Sequence, residues 1–393
     1  VAVYALLLML VTACSGEADK SVITLNITDG NLKEKPVLYL PDGKEITMEL
    51  SEDGTGSATV NNTGNIFVRL GYRYTSRLIW LAPGAQVNIS FHSKKFHENI
   101  TVEGTDSNIN TFLNSNVYKY ATIDDCSKGE MEYISFADSL LNANLAFLEK
   151  ENFSAEFKQQ ETLRLKYYTY QILPSFRYFH SRIAQEPDYS ESPAYWSKLK
   201  ELCVYDSNLL PIEEYRGFLY ESVSLLSKNE FPDHTGIERL VSFIGKNVAD
   251  AKVAEYLVYK RVYSFVKKNG IDGAAKYFEA FDKYVTDSAM VEQMAQLKEK
   301  MGKCAVGAPS PDFKCTDVDG KQYTLADFAG KYVYIDVWAT WCSPCRKEAP
   351  YLSELEHKFR ADEIYFVGVS CDKNKGAWEK AVKAGEVKGI QLY

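Results

Sequence analysis

This chain has no block of basic residues. Lysine and arginine number 45 against 53 aspartates and glutamates, for a net charge of −8. Nucleic-acid binding relies on neutralising phosphates, so the charge balance argues against that class. Histidine is scarce, and His92, His97, His180, His234 and His357 show no paired ligand spacing. No second Cys-x-x-Cys exists either, so a structural zinc site, which needs four ligands, has no ligand set. The apolar run that opens the chain is too short to span a bilayer as a permanent helix. A strict internal repeat is also missing. Eight cysteines in 393 residues do not make a small disulfide scaffold. Aromatics, by contrast, are plentiful: 27 tyrosines and 20 phenylalanines. Core packing accounts for most of them, and carbohydrate or peptide contact is the sharper alternative.

The opening stretch, "VAVYALLLMLVTACSG", ends in small residues ahead of Cys14. Val11-Thr12-Ala13-Cys14 resembles the lipobox of a bacterial lipoprotein signal. The start lacks both an initiator Met and a basic segment, so it is expected to be clipped. In such proteins the cysteine equivalent to Cys14 carries the lipid. The alternative is a plain secretory signal with an incidental cysteine. Both send the chain out of the cytoplasm, with residues 1–20 as signal and tether.

Residues 21–105 alternate between short β-rich runs and turn signals such as Pro41-Asp42-Gly43 and Pro83-Gly84. This predicts an all-β, sandwich-like domain. Over residues 106–302 the period changes to 3.6. Phe136, Leu140, Leu141, Leu145 and Leu148 form one stripe. "VAEYLVYKRVYSFVKKNG" predicts a helix stopped at Asn269-Gly270. This α-helical middle region reads as a spacer, with substrate recognition as the other possibility. A linker, "GKCAVGAPSPDF", leads into residues 303–393, where apolar strands alternate with helices. That pattern predicts a parallel sheet between helices.

Within that last segment, "YVYIDVWATWCSPCRKEAP" places Cys342 and Cys345 between a strand and a helix. Pro344 suits the first helical turn, where its missing N–H would have no partner. The helix N-terminus, Arg346 and Lys347 all favour a thiolate at Cys342. Lowering a thiol pKa from about 8.5 to about 7 takes roughly 2 kcal/mol. A helix terminus supplies about 0.3–1 kcal/mol when exposed and up to about 2 when partly buried. Placement therefore supplies much of the shift. Cys342 is the expected attacking sulfur and Cys345 the resolving one. Asp336, six residues upstream in an apolar strand, is expected to be a buried carboxylate with a raised pKa, able to take and return the proton of Cys345. The alternative is an aspartate that points to solvent. Trp338 and Trp341 are expected to cover the couple, with plain packing as the competing reading. A single-cysteine peroxidase reading is disfavoured by the close second cysteine. Setting aside Cys14 and the couple leaves Cys126, Cys203, Cys304, Cys315 and Cys371, an odd number. Cys304 and Cys315 are near enough in sequence to join, but spacing does not show it.

The stretch "GAPSPDFKCTDVDGKQYTLADFAGKYVYIDVWATWCSPCRKEAPYLSEL" resembles the thioredoxin-like domain of TlpA/ResA-type thiol–disulfide oxidoreductases. The matching parts are Pro311-Asp312-Phe313, the Asp-Gly-Lys hairpin, Leu325 to Lys331, the W-A-T-W-C-x-P-C-R-x-E-x-P block and "FVGVS", within residues 305–393. The resemblance implies that Cys342 and Cys345 are the redox centre, that Asp336 assists proton transfer and that Pro350 kinks the helix. It also implies protein disulfides as substrates, a membrane dithiol as electron donor and no diffusible cofactor. More loosely, the β region ahead of the helices resembles lipoproteins that carry an N-terminal β domain of unassigned role before this module. In the family a further strand, a cis-proline, a hairpin and a last helix follow. The sequence stops at Tyr393, so an incomplete thioredoxin-like α/β domain is expected. The resulting expectation is an envelope-facing lipoprotein, outer surface included, that exchanges disulfides as a reductant. The rival is a non-enzymatic surface lipoprotein that binds a partner or glycan.

Overall fold

The computed structural model describes residues 19–28, 34–359 and 363–393. The opening apolar run and Cys14 lie outside the described residues. Two compact units emerge. One holds the described residues up to Ser264 together with Ala275–Val291, and the other holds Phe265–Ala274 with Glu292–Tyr393.

In the first unit, alternation of apolar and polar residues produces strands β1 (Lys20–Thr28), β2 (Val37–Tyr39), β3 (Glu45–Thr47), β4 (Thr55–Asn61), β5 (Ile66–Tyr72), β6 (Thr75–Leu81), β7 (Gln86–His92) and β8 (Thr101–Gly104). They form two four-stranded sheets, ordered β4-β1-β7-β8 and β3-β2-β5-β6. Only the β1–β7 pairing is parallel among these. Ile23, Leu25 and Ile27 of one sheet and Val68, Leu70 and Ile79 of the other are buried in a common core, so this is the expected sandwich. Burying each such side chain stabilises the fold by about 1.5–3 kcal/mol. Gly104 ends β8 at φ +95°, where a Cβ would sit 2.1 Å from the Gln86 carbonyl oxygen, so no other residue fits.

The helical region follows: α1 (Ser107–Leu113), α2 (Glu130–Lys150), α3 (Ala155–Thr169), α4 (Phe176–Ile183), α5 (Pro193–Leu202), α6 (Glu213–Glu230), α7 (Gly236–Asn247), α8 (Ala251–Asn269), α9 (Ala275–Tyr284) and α10 (Ser288–Gly302). Pro193 sits in the first turn of α5. α8 ends at Asn269, and Gly270 takes a left-handed φ of +79°. The buried face of α2 is Tyr133, Ile134, Ala137, Asn144 and Leu148, so the predicted stripe is rotated, with Phe136 and Leu140 only half-buried. The cause is Asn144, which is buried because its amide satisfies both backbone groups of Lys119, at 3.1 and 2.8 Å.

In the second unit a short hairpin joins β9 (Cys315–Thr316) to β10 (Gln322–Tyr323) around Gly320. Then come β11 (Tyr332–Trp338), α11 (Ser343–Lys358), β12 (Ile364–Ser370), α12 (Lys375–Lys383) and β13 (Ile390–Leu392). The sheet order is β11-β12-β13 and every pairing is parallel, as expected for a thioredoxin-like region. Pro350 lies inside α11, where it removes one helical hydrogen bond. No described residue of α11 is fully buried. Among the described residues, no helix is long and apolar enough to cross a membrane.

Candidate functional site

The parallel pairing of β11 and β12 brings their C-terminal ends together. The Cys371 amide donates to the Trp338 carbonyl at 2.9 Å, so the chain leaves both strands at one edge. From there Thr340 is held by Asp372. The Thr340 amide donates to one carboxylate oxygen at 2.9 Å and its hydroxyl to the other at 2.7 Å. Burial alone would push the Asp372 carboxyl up. The bonds from Thr340 and from the Ser370 hydroxyl outweigh it and hold the carboxyl below the ordinary carboxylate range. Asp372 is therefore a charged clamp on the loop that delivers the cysteines.

That loop ends at Cys342, which is the N-cap of α11. Its sulfur accepts from the Cys345 amide at 3.3 Å, one of the donors a helix start leaves unpaired. Pro344 occupies the first turn. Cys342 and Cys345 are joined by a disulfide, with Cα atoms 5.3 Å apart. The placement expected for both sulfurs is the placement found. Cys345 faces inward, against the cluster of Trp338, Trp378 and Ala381. Arg346 pairs with Glu386 at 3.4 Å, an exposed contact, so part of its positive charge is offset.

Asp336 lies two residues before Trp338 on β11 and is half-buried. Burial raises its pKa. It lines, with Trp338, Cys345, Ala349 and Val387, a cavity of about 250 Å³. The strand carboxylate and the inner sulfur thus open on one space. The row Asp336, Gly368, Gln391 runs across the three strands in register. A Cβ on Gly368 would meet the Gln391 amide at 2.2 Å, so glycine lets that side chain cross β12. The amide oxygen then accepts from the Trp338 indole N–H at 2.9 Å. Sequence reading passed over Gln391 and Asp372. The glycine within "FVGVS" was the one available signal for the first, and the second carried none.

The two tryptophans part company. Trp338 is buried beside Cys345. Trp341 is 74% exposed. With Thr340 fixed by Asp372 and Cys342 fixed as the cap, the residue between them is turned to solvent. Cys126 and Cys203 are buried, Cys304 and Cys371 exposed and Cys315 half-buried; all five are free, so Cys304 and Cys315 do not join. Desolvation pushes Cys126 up to about 11 and Cys203 up to about 12, which leaves them inert as nucleophiles. Among the described residues no cluster of three histidines, cysteines or carboxylates could hold a metal ion.

Residues 306–388 match the AhpC/TSA family. "Thiol-disulfide oxidoreductase ResA" of Bacillus thuringiensis subsp. konkukian is 37% identical over 89 residues, 23% of this chain and 51% of the relative. Its namesake in Bacillus subtilis is 35% identical over 78 residues, 20% of this chain and 44% of the relative. A crystal structure of the thioredoxin domain of a thiol-disulfide oxidoreductase from Bacteroides vulgatus is 36% identical, covering 22% of this chain and 63% of that one, with a TM-score of 0.22. The chain spans about half the length of the curated relatives it matches. The similarity to these proteins is confined to the C-terminal segment of the chain.

Proposed function

We propose that the protein is a thiol–disulfide oxidoreductase that reduces protein disulfides through Cys342 and Cys345. One observation carries this reading: Cys342 caps a helix start while its partner, Cys345, shares a cavity with a half-buried Asp336. The names borne by the similar proteins agree with it. In the reduced form the Cys342 thiolate attacks a substrate disulfide. A mixed disulfide forms and one substrate thiolate leaves. Cys345 then gives its proton to Asp336, and its thiolate attacks the Cys342 sulfur. The second substrate thiolate departs and takes up a proton, so two electrons have passed to the substrate. The Cys342–Cys345 disulfide that results is reduced again by a membrane dithiol donor. Trp338 packs the inner sulfur, and Pro344 and Trp341 present the outer one to the substrate.

Val11-Thr12-Ala13-Cys14 supports a lipid anchor at Cys14 and a place in the bacterial envelope facing the periplasm. The divisions at residues 20, 105 and 302 belong to the same proposal. An insulin-type disulfide reduction assay on the full chain tests it. Activity is expected with the wild type and lost with Cys342→Ser. A wild type inactive with every physiological reductant would favour the non-enzymatic lipoprotein instead. Cys345→Ser should trap substrate on Cys342, and failure to trap any protein from envelope extracts would remove protein disulfides as substrates.

A further inference from the structure

The first unit contains a cleft of about 900 Å³ that the redox chemistry does not use. It exists because one sheet is covered over only part of its outer face. Along β5, Val68, Leu70 and Tyr72 point into the sandwich, while Phe67, Arg69 and Gly71 point the other way. At one end Phe67 and Trp80 are packed beneath Ile109, Phe112, Leu148 and Phe157. At the other end the sheet is bare, and Tyr39, Arg69 and Leu78 form a floor. Arg216 and Tyr220 of α6, with Tyr256 and Lys260 of α8, form the facing wall.

Three features of this cleft restrict what it can hold. First, the edge of the Tyr39 ring points at Gly71: a Cβ there would lie 2.6 Å from its Cε2 and 3.5 Å from Cδ2 and Cζ. The residue is 42% exposed and lines the cleft, with the ring edge and not a ring face turned to the backbone of Gly71. Second, planar charged groups are fixed in place. Arg69 is held by Glu213 at 2.5 Å and Glu214 at 2.7 Å. Glu214 also lies 3.4 Å from Arg164, which is buried and bidentate to Glu161 at 2.7 and 2.8 Å. Third, the floor offers no free backbone. β2 and β5 are paired on both sides. The outer edge of β6 is closed by α1, since Asn110 satisfies both backbone groups of Trp80 and Asn114 donates to the Leu78 carbonyl. An extended peptide recognised by strand addition needs the edge that is filled here.

We propose that this cleft binds a neutral oligosaccharide. A sugar ring has a C–H face suited to an aromatic plane and a rim of hydroxyls that both donate and accept. Tyr39, part-exposed in the lining, supplies the aromatic ring. Carboxylate and guanidinium groups, already oriented by one another, supply acceptors and donors. Lys44, Arg69, Arg216 and Lys260 stand against Glu213, Glu214 and Glu221, a near balance that gives a strongly anionic ligand little advantage. The size falls within the usual range for small-ligand sites.

The test is calorimetric titration of the full chain with cellotetraose, maltotetraose, mannotetraose and chitotetraose. One of these should bind. Tyr39→Ala should weaken binding by about tenfold or more, while Tyr39→Phe keeps it near wild type. Gly71→Ala, which leaves the ring but displaces its edge, should fall between. Circular dichroism checks that each variant is folded, and Lys260→Ala on the exposed rim gives a further variant if Tyr39→Ala is not. The proposal is overturned if no sugar binds the wild type. It is equally overturned if the folded variants bind as the wild type does, or if an unstructured acidic peptide binds the cleft and the sugars do not.

Discussion

β1 and β11 are both rich in apolar residues, yet they are used in opposite ways. Along β1, Ser21, Ile23, Leu25 and Ile27 are buried one after another and face a core shared by two sheets. Along β11 only Trp338 is fully buried, and Val337 stays 63% exposed. The helix packed next to the redox couple has no fully buried residue either. The sandwich is held by one large packed core, whereas the site around the cysteines combines a smaller packed cluster with a few directed bonds. Those bonds are Asp372 to Thr340, Gln391 to Trp338 and the Cys342 cap. On this reading the sandwich core and the cysteine site should respond separately to substitution.

Removing the chemistry should give the largest effect. Cys342→Ser eliminates the nucleophile, so disulfide reduction should fall by roughly two to three orders of magnitude or to background, with the melting profile little changed. A joint loss of activity and fold would break the separation. Removing packing comes next. Trp80→Ala in the layer between sheet and helices should cost about 3–5 kcal/mol in denaturant unfolding. Tyr351→Ala, on the exposed face of α11, should stay within about 0.5 kcal/mol. Equal costs at the two positions would erase the contrast.

Asp336 couples the two properties with opposite signs. Its pKa is raised on folding by burial, so its favourable contribution is complete at pH below the ordinary carboxylate value and is lost as pH rises through the raised one. At neutral pH, Asp336→Asn should melt higher than the wild type and exchange disulfides more slowly, and the melting difference should close as pH falls. A variant that melts lower at neutral pH would show that the carboxylate is not strained by burial. Asp372 has the reverse sign. Its folded pKa is depressed, so its contribution is present above the ordinary carboxylate value and lost as pH falls through the depressed one. Asp372→Asn should give the smallest change, a lower melting temperature at neutral pH that converges with the wild type in acid. No difference at neutral pH would mean that the loop is not clamped there.

Much of this architecture could be read from sequence because local patterns agree with the final fold. The β-rich runs of residues 21–105 became strands, and the stop at Asn269-Gly270 ended α8. Cys342, Pro344 and Cys345 took the positions that strand-then-helix spacing requires. What was missed depends on contacts between distant residues. The stripe on α2 turned because a buried asparagine found the Lys119 backbone. Gln391 reaches Trp338 only across a glycine on the strand between them. The cleft above Tyr39 and Arg69 draws on β2, β5, β6, α6 and α8 at once, and no sequence window contains it.

The account stands or falls on how readily the outer sulfur ionises. Rates of alkylation of Cys342 in the reduced full chain, followed against pH with Cys345→Ser as the background, measure this directly. A pKa at least about one unit below the ordinary value of about 8.5 is predicted. A midpoint at or above that value would contradict the claim that the start of α11 activates Cys342.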